Sequence, residues 1–390
     1  MGEFCPQIQP RLNHELTSTG EKLLHIEVVT DTYVPDVNGV ALSLGRLCAG
    51  LRERGHRVEI VRSGKSNGES GATVLSWPLP GYWEIKVGAP WPGELRRRWQ
   101  KNRPDIVYVA IETPLGFSAV AAARRLGIPV VGGFHTNFCE YLQKYGANWL
   151  GKQVWHYQKW FHDRLTRTLV PSPDARNKLV RAGFSKVSVL GRGVDTGLFT
   201  PARRSAALRE EFGASGQTPI ALVVGRVSSE KNIGLAIRAF DRMRRSCPEL
   251  VCIVVGNGPA CAKLKRDHPQ VQFPGYLLGE KLAACYASAD ILLFPSETET
   301  FGNVLVEAMA SGLAILAYDY AAAAWHGCNQ VNLLKVAKGD EVAFLAAADQ
   351  LLDPATRTTL AAGALATAGE LGWPAIVEEL EKIFREVIKS

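Results

Sequence analysis

The sequence predicts two α/β domains, each a parallel sheet wound on both faces by helices. Three observations predict them. The chain has 390 residues, more than a typical single core and suited to about two domains of roughly 150–200 residues. Short uncharged strands rich in Val, Ile and Leu alternate with helical stretches throughout, the pattern of parallel strands buried on both faces. The pattern also starts twice in the same way, with "KLLHIEVVT" at 22–30 and "TPIALVVGR" at 218–226, each followed by a loop and a helix.

In order, residues 1–20 are polar, lack the apolar stretch of a secretory signal and read as a flexible leader. An N-terminal domain, 21–198, opens on the first strand. The loop "DTYVPDVNGV" and helical "ALSLGRLCAGLRERGH" follow, then strands in "RVEIVRS", "DIVYVAI", "PVVGGFHT", "RTLVPS" and "KVSVLG". The seam falls near "GVDTGLFTPARR" (193–204). A C-terminal domain, 199–371, repeats the plan with the helix "NIGLAIRAFDRMRRS" and strands in "LVCIVVGNG", "VQFPG", "DILLFPS" and "AILAYD". Residues 372–390 form a last helix, with Pro374 at its start and Ile376, Leu380, Ile383 and Val387 apolar. That helix can pack back on the N-terminal domain. Ligands of such domains sit at the carboxyl ends of strands, so the interdomain cleft is the natural site.

The totals narrow the function. Apolar residues make up 46% and charged residues 21%, so the chain is not disordered. No run of about 18 uncharged apolar residues exists to span a membrane. Eight cysteines occur and none forms C-x-x-C, which reads as reduced thiols in a cytoplasmic protein without a zinc site. The net charge is +7, with 26 Lys and Arg against 17 Asp and Glu in residues 1–200 and 19 against 21 in residues 201–390. The excess base belongs to the first half. An anionic substrate, an anionic membrane or nucleic acid could each explain it, as could a plain solvated surface. No nucleic-acid motif is present.

The loops after the strands carry the chemistry. In "SETETFGNVLVEAMASG" (296–312) a strand ends, a loop follows, and a helix opens at Gly302 and closes at Gly312. A helix start offers free backbone N–H groups to an anion or a hydroxyl. Glu299 lies just before it and Glu307 inside it, roughly 7.5 Å along the axis. Two acceptors so placed can read hydroxyls on two parts of one ligand. The E-x7-E spacing alone says little, since Glu370 and Glu378 repeat it. "GRVSSEKN" places Arg226 and Lys231 after the second domain's first strand, where two cations suit a diphosphate. The alternative is a solvated loop with Glu230 as the partner. In the first domain, Gly39 of "PDVNGV" lets backbone approach a phosphate, and His135 ends the strand of "VVGGFHTN". Each of these also has an ordinary reading, as a turn glycine and a structural histidine.

Together "PDVNGV", "GGFHT", "GRVSSEKN", "VVGNGP" and "SETETFGNVLVEAMASG" resemble family 4 of the retaining glycosyltransferases, which share the two-domain GT-B architecture. The resemblance runs from about residue 22 to 388, and in detail the chain is similar to bacterial mannosyl- and glycolipid-forming members. It implies a nucleotide diphosphate sugar as donor, GDP-mannose first, and no metal or other cofactor. It implies catalytic roles for Arg226 and Lys231 on the leaving diphosphate, for Glu299 on donor-sugar hydroxyls and for His135 beside the sugar. Phe301, Gly302 and Asn303 would offer amides, Glu307 would hold the ribose, and Gly39 would lie near the phosphates. "GNGP" and "FPGY" would border the base. "YDYAAAAWHGCNQVN" (318–332) departs from the family, where many members have a Gly-rich loop and a Glu.

The helical stretch 148–168 sets Trp149, Trp155, Trp160 and Phe161 among Lys152, Lys159, Arg164 and Arg167. Aromatics with bases suit an anionic membrane surface and a lipid acceptor, with the protein peripheral on the inner face of the cell membrane. A core helix with solvated bases is the competing reading. Three functions stay open: mannosyl transfer, or a UDP-hexose-dependent glycolipid synthase; a sugar-nucleotide epimerase on the same fold; and a nucleotide-binding protein without turnover.

Overall fold

In a computed structural model the described residues are 22–36, 39–64, 71–79, 82–134, 148–299 and 301–390. They hold two parallel sheets and one hairpin. The strands of the first half are β1 (His25–Thr30), β2 (Arg57–Ser63), β3 (Gly71–Val74), β4 (Ser76–Leu79), β5 (Tyr82–Gly88), β6 (Ile106–Val109), β7 (Val130–Gly133), β8 (Arg167–Val170) and β9 (Val187–Val189). Those of the second half are β10 (Ile220–Val224), β11 (Val251–Val255), β12 (Gln272–Gly275), β13 (Ile291–Phe294), β14 (Ala314–Tyr318) and β15 (Leu334–Val336).

The first sheet runs β3-β2-β1-β6-β7-β8-β9 and the second β12-β11-β10-β13-β14-β15, while β4 and β5 pair antiparallel. The two α/β sheets are doubly wound, as the sequence predicts. The sequence reading missed β3, the β4–β5 hairpin and β15. β3 and β15 are short edge strands, and the hairpin carries Pro78, which argues against a strand.

By contacts the described residues divide into two compact units, those within 1–133, 160–167 and 383–390, and those within 134–159 and 168–382. The second unit packs β10 and β11 between two apolar layers. Ile220, Leu222 and Val224 face Phe294, Phe301 and Leu305, whereas Ala221 and Val223 face Ile237, Phe240 and Met243. Alternate residues thus serve opposite faces, which is why the strands read as continuous apolar runs. In the first unit, Val29, Val107 and Val109 pack with Leu95, Trp99 and Leu115.

The final helix, Trp373–Lys389, buries Val377, Leu380, Ile383, Phe384 and Val387, while Ile376 is only half-buried. Its last turns belong to the first unit, where Phe384 lies 6.2 Å from the Tyr108 ring and Arg385 donates to the Lys22 carbonyl at 3.0 Å.

Candidate active site

In the second sheet the strand order reverses between β10 and β13, which pair in parallel. Loops leaving two such strands diverge to opposite faces and open a crevice at their carboxyl ends. The loop after β10 carries Arg226 and Lys231, and the loop after β13 carries Glu299. Topology therefore brings together residues some 70 positions apart in sequence.

The β10 loop is strapped to the β11 loop. Gly225 donates to the Val255 carbonyl at 3.0 Å, Val227 to Asn257 at 3.0 Å, and Ala260 to Val227 at 3.1 Å. A Cβ on Gly256 would lie 1.9 Å from the Gly225 oxygen, and one on Gly258 2.4 Å from the Val227 oxygen. The glycines of "GNGP" are thus needed for the loop that presents Arg226.

Beyond it, Ser229–Lys231 forms one 3-10 turn, ended by Asn232 at φ 49°, and the helix Ile233–Ser246 begins. The β13 loop is laced to this turn: Glu297 donates its N–H to the Glu230 carbonyl at 3.1 Å, and Asn232 donates to the Glu297 carboxylate at 3.4 Å.

Lys231 Nζ donates to Glu299 Oε1, and both side chains are mostly shielded. Glu230, the partner raised by the sequence, accepts from Ser228 Oγ at 2.7 Å. Tyr320 donates its hydroxyl to the Glu299 carbonyl at 3.1 Å, and Lys338 Nζ sits 4.2 Å from the Tyr320 ring centroid. Arg226 is exposed. Beside Glu299 an open cavity of about 90 Å³ is lined by Phe134, Ser172, Lys178, Leu179, Tyr320 and Ala321, among others.

The helix Asn303–Ala310 starts after Gly302, and no side chain caps it. Its first amides are therefore available to a ligand's acceptors. Phe301 is buried, with its ring centroid 6.3 Å from Trp325 and 5.9 Å from His326. Trp325 and His326 stack at 4.4 Å, and burial pushes His326 down to about 4. These aromatics fill the region of the family departure, and its Ala321 adopts φ 52°. Glu307 is half-buried, and burial pushes its carboxyl up to about 7, while the hydrogen bond that Tyr286 donates at 3.0 Å pulls it back.

Arg226, Lys231, Glu299, Phe301, Gly302, Asn303 and Glu307 thus share one end of one sheet. Gly39 opens the helix Gly39–Glu53 and is exposed. His135 lies outside the described residues. So do the side chains of Trp149 and Lys152, on the helix Asn148–His162. On that helix Trp155 is half-buried against Phe184 at 5.2 Å, with Lys159 Nζ 5.8 Å from the same ring centroid. Trp160 is exposed, stacks on Phe117 at 5.4 Å and carries the Arg164 guanidinium 3.7 Å above its ring.

The sequence reading missed Tyr286 and Tyr320. A tyrosine among buried alanines, as in "KLAACYAS", must find a partner for its hydroxyl, and that signal was present.

Among the described residues one group has metal-ligand character, His25, Glu27 and Glu59, with ligand atoms within 4.8 Å of one another. It sits in the amino-terminal halves of β1 and β2. Arg98 binds both carboxylates, reaching Glu27 Oε1 at 3.0 Å, and Arg57 binds Glu59. Two guanidiniums already balance the two acids, which leaves no charge demand for a cation.

The model of Glycosyltransferase Family 4 matches residues 37–198, and that of Glycosyl transferases group 1 matches residues 218–354. The chain is 33% identical over 373 residues to a GDP-mannose-dependent alpha-mannosyltransferase of Mycolicibacterium smegmatis, covering 92% of this chain and 96% of that protein. It is 25% identical to an alpha-monoglucosyldiacylglycerol synthase of Acholeplasma laidlawii, covering 76% and 81%. Anabaena HepE in complex with UDP has the same fold, with a TM-score of 0.74 at 17% identity, covering 93% of this chain and all of that one. A GT-B fold, the Arg226, Lys231 and Glu299 loops at one end of the second sheet and a one-third identity along nearly the whole length place this chain in glycosyltransferase family 4.

Proposed function

We propose that the protein transfers a hexose with retention from a nucleotide diphosphate sugar, mannose from GDP-mannose first, to a hydroxyl acceptor on a lipid or glycolipid. The observation that carries this is Lys231 in contact with Glu299 at the switch point, with Arg226 on the same loop. Departure of a nucleoside diphosphate leaves negative charge on oxygen, and fixed cations stabilise it. The sugar gains oxocarbenium character as the bond breaks. Among the described residues no second carboxylate is paired with Glu299 as a nucleophile in the way that retaining glycosidases pair theirs. The acceptor therefore attacks on the face the diphosphate leaves, with the donor phosphate taking its proton.

Lys231 and Glu299 neutralise one another without a ligand. An arriving diphosphate draws Lys231 to itself, which releases Glu299 to accept bonds from sugar hydroxyls. The uncapped amides at Asn303 lie at the same helix mouth. Glu307, further along that helix, takes the ribose. Because Arg226 and Lys231 supply the positive charge, no metal is required, and transfer should be unchanged in EDTA.

The donor assignment draws on the mannosyltransferase relative, and the lipid acceptor on the glycolipid synthase relative and on the exposed Trp160 with Arg164 over its ring. The test is a panel of GDP- and UDP-sugars with purified protein, scored by nucleotide diphosphate release with and without membrane lipid extract. GDP-mannose should support release that the extract stimulates. Epimerised donor without release would make the protein an epimerase. In Glu299→Ala transfer should fall about 10²- to 10³-fold, and unchanged transfer would remove Glu299 from the mechanism.

A further inference from the structure

The carboxyl of Glu307 has a single hydrogen-bonding partner among the described side chains, the Tyr286 hydroxyl at 3.0 Å. The two groups come from different elements, the helix Asn303–Ala310 and the helix Gly279–Ser288. Tyr286 is fully buried. Its ring is held edge-on by Phe199 at 5.7 Å, so the phenol points one way only. No cation among the described residues bears on the Glu307 carboxyl; burial and the Tyr286 hydrogen bond alone set its proton affinity. Of the other titratable groups nearby, Cys285 acts on the phenol, and His326 packs on Phe301; neither acts on the carboxyl.

We propose that Tyr286 is a positioning residue for nucleotide binding: its hydroxyl fixes one oxygen of Glu307, so that the other oxygen accepts the hydroxyls of the donor's ribose. This rests on the reading of Glu307 as the ribose acceptor. A phenol suits the task better than a lysine would. It donates one directed hydrogen bond and brings no charge, so it does not compete with the ribose for the second oxygen. Burial alone would leave the acid more than half protonated at neutral pH, since it is pushed up to about 7 even with the bond in place. A protonated Glu307 loses acceptor capacity. Nucleotide affinity therefore falls as pH drops through neutrality, and the Tyr286 bond sets where that fall begins.

The test is calorimetric titration of the whole protein with GDP, and UDP in parallel, from about pH 5.5 to about pH 8.5, in wild type, Tyr286→Phe and Glu307→Gln. Loss of one hydrogen bond to a carboxylate should move the midpoint up by about half to one pH unit and weaken binding at pH 7 about two- to fivefold. Glu307→Gln should bind weakly and keep only the dependence that comes from the diphosphate's own ionisation. If Tyr286→Phe keeps the wild-type midpoint while Glu307→Gln flattens the curve, the role of Tyr286 is overturned and the ribose reading stands. If Glu307→Gln binds as wild type does, the ribose reading fails and the proposal with it. Should Tyr286→Phe not fold, 3-fluorotyrosine at position 286, a stronger donor of the same shape, should move the midpoint down. No movement there overturns the proposal.

Discussion

Single residues carry their own predictions. Folding raises the proton affinity of Glu307 from the ordinary carboxyl value of 4.5 to about 7. A carboxyl raised on folding destabilises the protein above its folded pKa, because the unfolded chain is free to ionise it. The cost is absent below about 4.5, grows through the interval and is complete above about 7, at about 2–3 kcal/mol for a half-buried group. Glu307→Gln should therefore raise the melting temperature by several degrees at pH 8 and by almost nothing near pH 4.5, read by calorimetry across pH. Ala321 is the reverse case, strain without a known gain. Its φ of 52° with ψ of −122° is a region that glycine holds, at a cost of about 1–3 kcal/mol to other residues. Ala321→Gly should stabilise by about 1 kcal/mol after the added freedom of the unfolded chain is subtracted. A lower melting temperature would show that the buried methyl outweighs the strain. At this scale the sequence displayed the residue types, Arg226, Lys231, Glu299 and Glu307, because charged groups stand out against apolar strands. It did not display that Lys231 meets Glu299, since that contact depends on how two loops from different strands lie together.

Elements add the constraints that residues inherit. The β10 and β11 loops approach so closely that Gly256 and Gly258 have no room for a side chain. Gly256→Ala or Gly258→Ala must push the β10 loop away and Arg226 with it. Nucleotide affinity should fall tenfold or more, with the melting temperature lowered, and calorimetry reads both; full affinity would mean that the strap does not position Arg226. "VVGNGP" was legible as a motif, but the reason for its glycines was not, because the clash lies with a loop thirty residues earlier. The strand runs that form the interiors of both sheets were legible from uninterrupted apolar stretches. The β4–β5 hairpin was hidden by Pro78 in its first strand. The helix Asn148–His162 shows what composition cannot say: Trp155 packs on Phe184, Phe161 is buried in the core and Trp160 faces outward.

The whole molecule is governed by the reversal of strand order between β10 and β13, which no local pattern announces. Repetition of strand–loop–helix told how many sheets to expect, and the resemblance supplied the rest. The charge asymmetry also acts at this scale. With 26 bases against 17 acids in residues 1–200, the protein should sediment with anionic vesicles at low salt and release as salt shortens the reach of charge to about 8 Å. Neutral vesicles should not retain it, and equal retention by both would remove charge as the cause. The Lys231–Glu299 contact has a kinetic consequence. Glu230 and Glu297 on the same two loops, Asp174 and Lys178 lining the cavity and Lys338 over Tyr320 join Arg226, Lys231 and Glu299, so four acids stand against four bases, in a half of the chain where 21 acids face 19 bases. A doubly negative donor meets no attractive field until it is close enough to part the pair. Its encounter rate should be flat or rise slightly between about 20 and about 300 mM salt, unlike that of ligands steered by an open basic cleft. Stopped-flow with a fluorescent nucleotide would measure it, and a steep fall with salt would mean that Lys231 is already free before the donor arrives.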